Sequence, residues 1–124
     1  MTKQSILLID NSPDMLILQR AILESDGFLV FTAKSGTEGL EALSKIEEPN
    51  LILLDMQMDD MNGTEFLTLL EEKKPEILEH VPVVLLSGTD APPKSKASGF
   101  IRKFPDIDVF LRIVHQYIDD GPSH

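Results

Sequence analysis

Asp55 closes an apolar run, Leu51-Ile52-Leu53-Leu54, and opens the stretch Met56-Gln57-Met58-Asp59-Asp60-Met61-Asn62-Gly63. Three other short apolar runs also end on residues that carry chemistry. Ile6-Leu7-Leu8-Ile9 stops at Asp10, Val83-Val84-Leu85-Leu86 stops at Ser87, and Phe100-Ile101 leads through Arg102 to Lys103. Unbroken apolar runs of this length fit strands buried on both faces. A polar residue directly after such a strand falls where a parallel sheet opens its ligand crevice, at the carboxyl ends. If these strands are parallel neighbours, two carboxylates, a hydroxyl and an ammonium converge on one edge. Two carboxylates near one point need a cation or a shared proton, so such an edge is a reaction site.

The intervening residues supply the elements that must position it. Ser12-Pro13 starts a helix, with Ser as N-cap and Pro in the first turn. Met15, Leu18 and Ile22 recur at helical spacing until Asp26-Gly27 stops it, and Phe28–Thr32 reads as a second strand. Ser35-Gly36-Thr37-Glu38 has capping-box spacing, and Leu40, Leu43 and Ile46 carry that helix to a break at Pro49-Asn50. A third helix turns Phe66, Leu67 and Leu70 inward and ends before Pro75. Asp106 can cap a last helix whose apolar side holds Ile107, Phe110, Ile113, Val114 and Tyr117. Strands alternating with helices imply crossovers and a parallel sheet. Between Ser87 and Lys103, Pro92-Pro93 allows at most a helix start, so a loop or single turn is predicted there.

A chain of 124 residues suits one domain, 1–124, with 119–124 reading as a tail or the start of a linker. The net charge of -10 argues against direct binding of a nucleic-acid backbone, which needs a basic footprint. Absence of cysteine rules out disulfides, thiolate metal sites and a thiol nucleophile. No signal peptide or membrane-spanning run is visible, and a cytoplasmic location is expected. His80, His115 and His124 show no Asp or Glu at ligand spacing and read as surface residues. Met56, Met58 and Met61 read as loop packing. Asp59-Asp60 reads as a solvated acidic turn.

Asp55-x-x-Met58-x-x-Met61-Asn62-Gly63 after an apolar strand, with Asp10, Ser87 and Lys103 closing strands one, four and five, resembles the receiver domain of two-component response regulators. The resemblance covers essentially the whole chain. It implies a flavodoxin-like, doubly wound α/β fold with a five-stranded parallel sheet in the order 2-1-3-4-5. It implies Asp55 as phosphoryl acceptor, because a carboxylate oxygen can attack a phosphoryl donor to give an acyl phosphate. Lys103 would supply fixed positive charge and Ser87 a hydroxyl donor to a phosphoryl oxygen. Magnesium would be held by Asp10, Asn11, Asp55 and the backbone carbonyl of Gln57, as hard cations prefer oxygen ligands. Ser87 and Phe100 would form the switch that is drawn in on phosphorylation, although Phe100 by itself also reads as core filling. The implied partners are a histidine kinase or phosphotransfer protein and a downstream target or output domain, with dimerisation open and no membrane contact. The chain would be a switch, not an enzyme, assisting at most its own phosphorylation and dephosphorylation.

The chain departs from the family pattern in four places. Asn11 replaces the second acidic residue after strand one, with Asp14 or Asp59 as possible compensation. Asp59 stands where the family usually has proline. Lys103 is followed by Phe104-Pro105, so a trans Lys103–Phe104 bond is expected, or a cis bond moved to Phe104–Pro105. The spacing from Ser87 to Lys103 is short by more than one helical turn, so the fourth helix should be shortened or missing. These departures motivate an alternative, a degenerate receiver that works as a protein-interaction module without phosphorylation. A third class, a phosphatase or flavin protein on the same fold, fits poorly. Gln57 stands where a haloacid-dehalogenase-type phosphatase needs Asp, and Asp10-Asn11-Ser12-Pro13-Asp14 has the wrong charge for a flavin phosphate.

Overall fold

The computed structural model describes residues 3–88, 96–102 and 106–122. In chain order the elements are β1 Ser5–Ile9, α1 Pro13–Ser25, β2 Leu29–Ala33, α2 Gly36–Lys45, β3 Leu51–Asp55 and α3 Gly63–Lys73. They are followed by α4 Pro75–His80, β4 Val83–Ser87, β5 Gly99–Arg102 and α5 Ile107–Asp120. The five strands pair in parallel in the order β2-β1-β3-β4-β5, as the resemblance implied. Every residue of β3 and β4 is buried, which explains their unbroken apolar runs.

The sheet divides the core into two clusters. Leu7, Ile9, Ile52, Leu54 and Leu85 face Leu43 of α2, Phe66, Leu67 and Leu70 of α3, and Ile77 of α4. Ile6, Leu8, Leu53, Val84 and Ile101 face Leu16 and Leu23 of α1 and Phe110 and Val114 of α5. Alternation along each strand sends successive side chains to opposite clusters.

Local signals set most boundaries. Ser12 caps α1 by accepting from the Met15 N–H at 3.3 Å. At its other end Gly27 adopts φ 94°, with Phe28 N–H bonded to Leu23 O and Gly27 N–H to Glu24 O. That is a Schellman motif, and only glycine meets its backbone angle without strain. Asn62 and Glu65 cap α3 reciprocally, through Glu65 N to Asn62 Oδ1 at 2.8 Å and Asn62 N to Glu65 Oε1 at 3.1 Å. Ser35 accepts from Glu38 N in α2, the forward half of the spacing read there.

The structure corrects several sequence readings. In α1 the buried residues are Leu16, Gln19 and Leu23, whereas Leu18 is exposed. The helix has apolar residues on nearly every side, so periodicity alone does not fix which side turns inward. In α5 Ile107 is exposed, since it sits in the first turn before the helix reaches the sheet. Asp119 and Asp120 are helical, with the chain leaving at Gly121. The β3–β4 crossover contains an unforeseen short helix, α4, started by Pro75, with Lys74 alone separating it from the end of α3 at Lys73. Between β4 and β5, Gly88 and residues 96–98 are not helical. The rest of the expected loop, including Pro92-Pro93, lies outside the described residues, as do the Lys103–Phe104 and Phe104–Pro105 bonds.

Candidate functional site

The register brings the predicted residues to one edge. Ile9 pairs with Leu54, so Asp10 and Asp55 follow side by side at the carboxyl ends of β1 and β3. Asp55 pairs with Leu86, one residue before Ser87, and Ser87 pairs with Arg102 of β5. Lys103 follows Arg102 in sequence and lies outside the described residues. Asp10, Asp55 and Ser87 are all buried, at 0%, 1% and 3% exposure. Burial of two carboxylates in one place is costly unless opposite charge or hydrogen bonds meet them.

Backbone N–H groups meet part of that demand. Ser12 N donates to Asp10 Oδ1 at 2.9 Å, and Gln57 N donates to Asp55 Oδ1 at 3.2 Å. Each carboxylate is thus oriented by the residue two positions later, where the chain turns out of its strand. Beyond Gln57 the loop folds back on itself. Gln57 and Asn62 form an isolated antiparallel bridge, and Gly63 N donates to Met56 O at 2.9 Å. Gly63 is buried, and a side chain there would press on Leu85 and Met56. Met58 is buried and Met56 and Met61 pack against the same cluster, so all three serve as loop packing.

The acidic turn is exposed, as its sequence reading has it, and it also makes contacts that reading did not include. Asp59 Oδ1 accepts from Asn11 Nδ2 at 3.2 Å, linking the β3–α3 loop to the loop after β1. Asp60 accepts from Gly36 N at 3.1 Å, Thr37 N at 2.9 Å and Thr37 Oγ1 at 2.7 Å, all at the start of α2. The Thr37 hydroxyl, with help from the two backbone donors, holds the Asp60 carboxyl below its ordinary range despite partial desolvation. Sequence reasoning missed this contact because it joins residues far apart in the chain, and no local pattern announces it.

A hard cation would find suitable donors here. The Asn11 amide nitrogen is committed to Asp59, which leaves its carbonyl oxygen as the end able to meet a cation. With the Asp10 and Asp55 carboxylates and the Gln57 carbonyl, the donor set is all oxygen. Among the described residues no three His, Cys, Asp or Glu side chains gather around one point. A cation at this edge would therefore rest on two carboxylates plus neutral oxygens.

Phe100, on the edge strand β5, is 40% exposed, which excludes simple core filling. Asp14 is exposed in the first turn of α1, whose cap is Ser12. Two histidines do find acidic neighbours in space. His115 Nε2 lies 2.6 Å from Asp26 Oδ2 with its ring against Phe28, and His80 lies 3.5 Å from Glu48. His124 lies outside the described residues.

Among the described residues no helix is long and apolar enough to cross a membrane. The chain is similar to the transcriptional regulatory protein GlrR of Escherichia coli (strain K12), at 32% identity over 94% of this chain and 26% of that protein. It thus spans about a quarter of that relative's length. Sporulation initiation phosphotransferase F of Bacillus subtilis (strain 168) is 29% identical over 95% of this chain and 96% of its own length. A CheY-like receiver domain protein from Methanospirillum hungatei JF-1 superposes with a TM-score of 0.83 at 25% identity, covering 96% of both chains. Residues 6–113 match the model of the response regulator receiver domain, and the chain belongs to that family.

Proposed function

We propose that this receiver accepts a phosphoryl group on Asp55 from a histidine kinase or phosphotransfer protein and switches conformation to modulate a partner. One observation carries the reading: Asp55 is buried beside Asp10 and one register step from Ser87, at the carboxyl edge of the sheet. The Gln57 N–H orients the Asp55 side chain, and a carboxylate oxygen of Asp55 attacks the phosphorus. It forms a new P–O bond as the P–N bond to the donor imidazole breaks, and the departing imidazole takes up a proton. The Ser87 hydroxyl donates to a phosphoryl oxygen, and Lys103, by family resemblance, balances the added charge. Bound magnesium, held by Asp10, Asn11, Asp55 and the Gln57 carbonyl, would neutralise charge on the phosphoryl oxygens. Such transfer depends on positioning and charge neutralisation, so the chain needs no further catalytic machinery. Exposed Phe100 marks the unswitched state, from which it can be drawn in toward the space vacated by the Ser87 hydroxyl. The setting is cytoplasmic, and the chain acts as a switch and not as an enzyme on other substrates.

Intact-mass measurement after incubation with acetyl phosphate and magnesium tests this. One added phosphoryl group is expected, lost in Asp55→Asn and on chelation of the metal. No Asp55-dependent addition at generous magnesium would overturn it. The Asn11–Asp59 contact favours a second reading, since it puts an extra carboxylate at the mouth while Asn11 brings no charge. Under that reading the domain binds its partner without phosphorylation, and Asp55→Asn leaves partner binding intact.

A further inference from the structure

Residues 59 to 61 fasten the acceptor loop to two other parts of the molecule. Asp59 holds Asn11 in the loop after β1, and Asp60 holds Gly36 and Thr37 at the start of α2. Met61 lies against Gly36, where any β-carbon would overlap its thioether. The start of α2 already has a cap of its own, since Ser35 Oγ accepts from Glu38 N at 3.1 Å. Ser35 leaves the Gly36 and Thr37 N–H groups without a side-chain acceptor. Asp60 completes the cap from a different crossover, and a carboxylate suits the positive end of the helix.

We propose that Asp60 is a positioning residue for the Asp55 reaction: by clamping the β3–α3 loop onto α2, it fixes Gln57 and Asp59 at the sheet edge. This rests on the acceptor reading of Asp55 for its functional meaning. The mechanical argument is direct. Asp60 stands five residues after Asp55, and the far end of the loop is pinned by the Gly63–Met56 hydrogen bond and the Asn62–Glu65 box. Between these anchors the Gln57 N–H orients Asp55 Oδ1, and the Gln57 carbonyl belongs to the donor set described above. Releasing Asp60 frees the middle of that span. The three bonds to one carboxylate are charge-assisted, the stronger kind. The Thr37 hydroxyl lowers the Asp60 pKa, favouring the charged form that these bonds require.

The test compares amide hydrogen exchange and Asp55 labelling in the wild type, Asp60→Ala, Asp60→Asn and Ser35→Ala. Asp60→Ala should speed exchange of the Gln57 amide by about tenfold, the scale set by losing hydrogen bonds to a charged group at an exposed site. Ser35→Ala weakens the same helix end without touching the loop, so it should speed exchange in α2 and leave Gln57 unchanged. Labelling of Asp55 by acetyl phosphate should slow in Asp60→Ala, partly recover in Asp60→Asn, which keeps an acceptor, and hold in Ser35→Ala. Unchanged Gln57 exchange in Asp60→Ala, an equal rise in Ser35→Ala, or unaltered labelling in Asp60→Ala would each overturn the proposal. If the wild type itself takes no label, the acceptor reading fails, and the Gln57 exchange contrast still decides whether Asp60 holds the loop.

Discussion

Phe100→Ala should weaken binding of a phosphoryl mimic beyond the loss of stability it causes in the resting domain. At 40% exposure Phe100 has a large apolar surface in water. A phenylalanine offers roughly 200 Å² to burial, so about 80 Å² remains to be covered. At about 25 cal/mol per Å² its withdrawal contributes about 2 kcal/mol toward the switched state. That corresponds to a population bias of roughly 30-fold. A ligand that binds the switched state preferentially loses apparent affinity in proportion when that state becomes rarer. Beryllium fluoride with magnesium, titrated by calorimetry, should therefore bind Phe100→Ala up to about 30-fold more weakly. Phe100→Leu, which restores much of the apolar area, should recover most of the loss. Thermal unfolding without ligand provides the companion measurement: about 120 Å² of the ring is already covered at rest, so truncation should cost up to about 3 kcal/mol in both states alike. Unchanged mimic affinity in Phe100→Ala would refute the inward movement of this ring.

Two further perturbations probe the frame. Gln19 is buried between Leu16 and Leu23, and its Oε1 has no hydrogen-bond partner among the described residues. Gln19→Met keeps the shape and removes the unsatisfied acceptor. It should stabilise the domain by about 1 kcal/mol, seen as a higher urea midpoint at constant slope, and a lower midpoint would show that the amide is satisfied. Asp60 has a folded-state pKa below its ordinary 3.8, so the folded chain holds its proton less tightly than the unfolded chain. Its stabilising contribution is complete above that value and is lost as pH falls through the lowered pKa. The stability gap between wild type and Asp60→Ala, from urea melts at stepped pH, should accordingly be constant near neutrality and close in acid. A gap that does not narrow at all as pH falls below 3.8 would contradict the charged clamp.

The sheet was legible because β1, β3 and β4 are buried on both faces and their composition says so without ambiguity. The positions of Asp10, Asp55 and Ser87 followed, since each sits at the end of such a run. The burial phase of α1 was not legible: Leu16, Ile17, Leu18, Ile22 and Leu23 offer several apolar faces, and only contact with β1 and β2 selects one. The helix α4 escaped because six residues are too few to show a period. Asp59 and Asp60 are solvent-exposed, as the acidic turn suggests, but their carboxylates also hydrogen-bond across the molecule. Their partners, Asn11, Gly36 and Thr37, stand 48, 24 and 23 residues away. Phe100 was misjudged for the opposite reason: its type suits a core, but its place on an edge strand leaves the ring in water.

The division of the core into two clusters has a consequence for how the chain is made. The cluster against α2, α3 and α4 draws its buried residues from Leu7 to Leu85, so it can close while the last strand and helix are still being synthesised. The opposite cluster also needs Phe110 and Val114 of α5, which packs against β3. Domains fold as units during translation at about 5–20 residues per second. The residues of one apolar face are therefore all synthesised some seconds before the last of the other's. Until α5 emerges, the back of the nascent sheet, with Leu53 and Val84, is the surface a chaperone meets. Substitutions in α5 should thus be felt in yield and solubility before they are felt at Asp55.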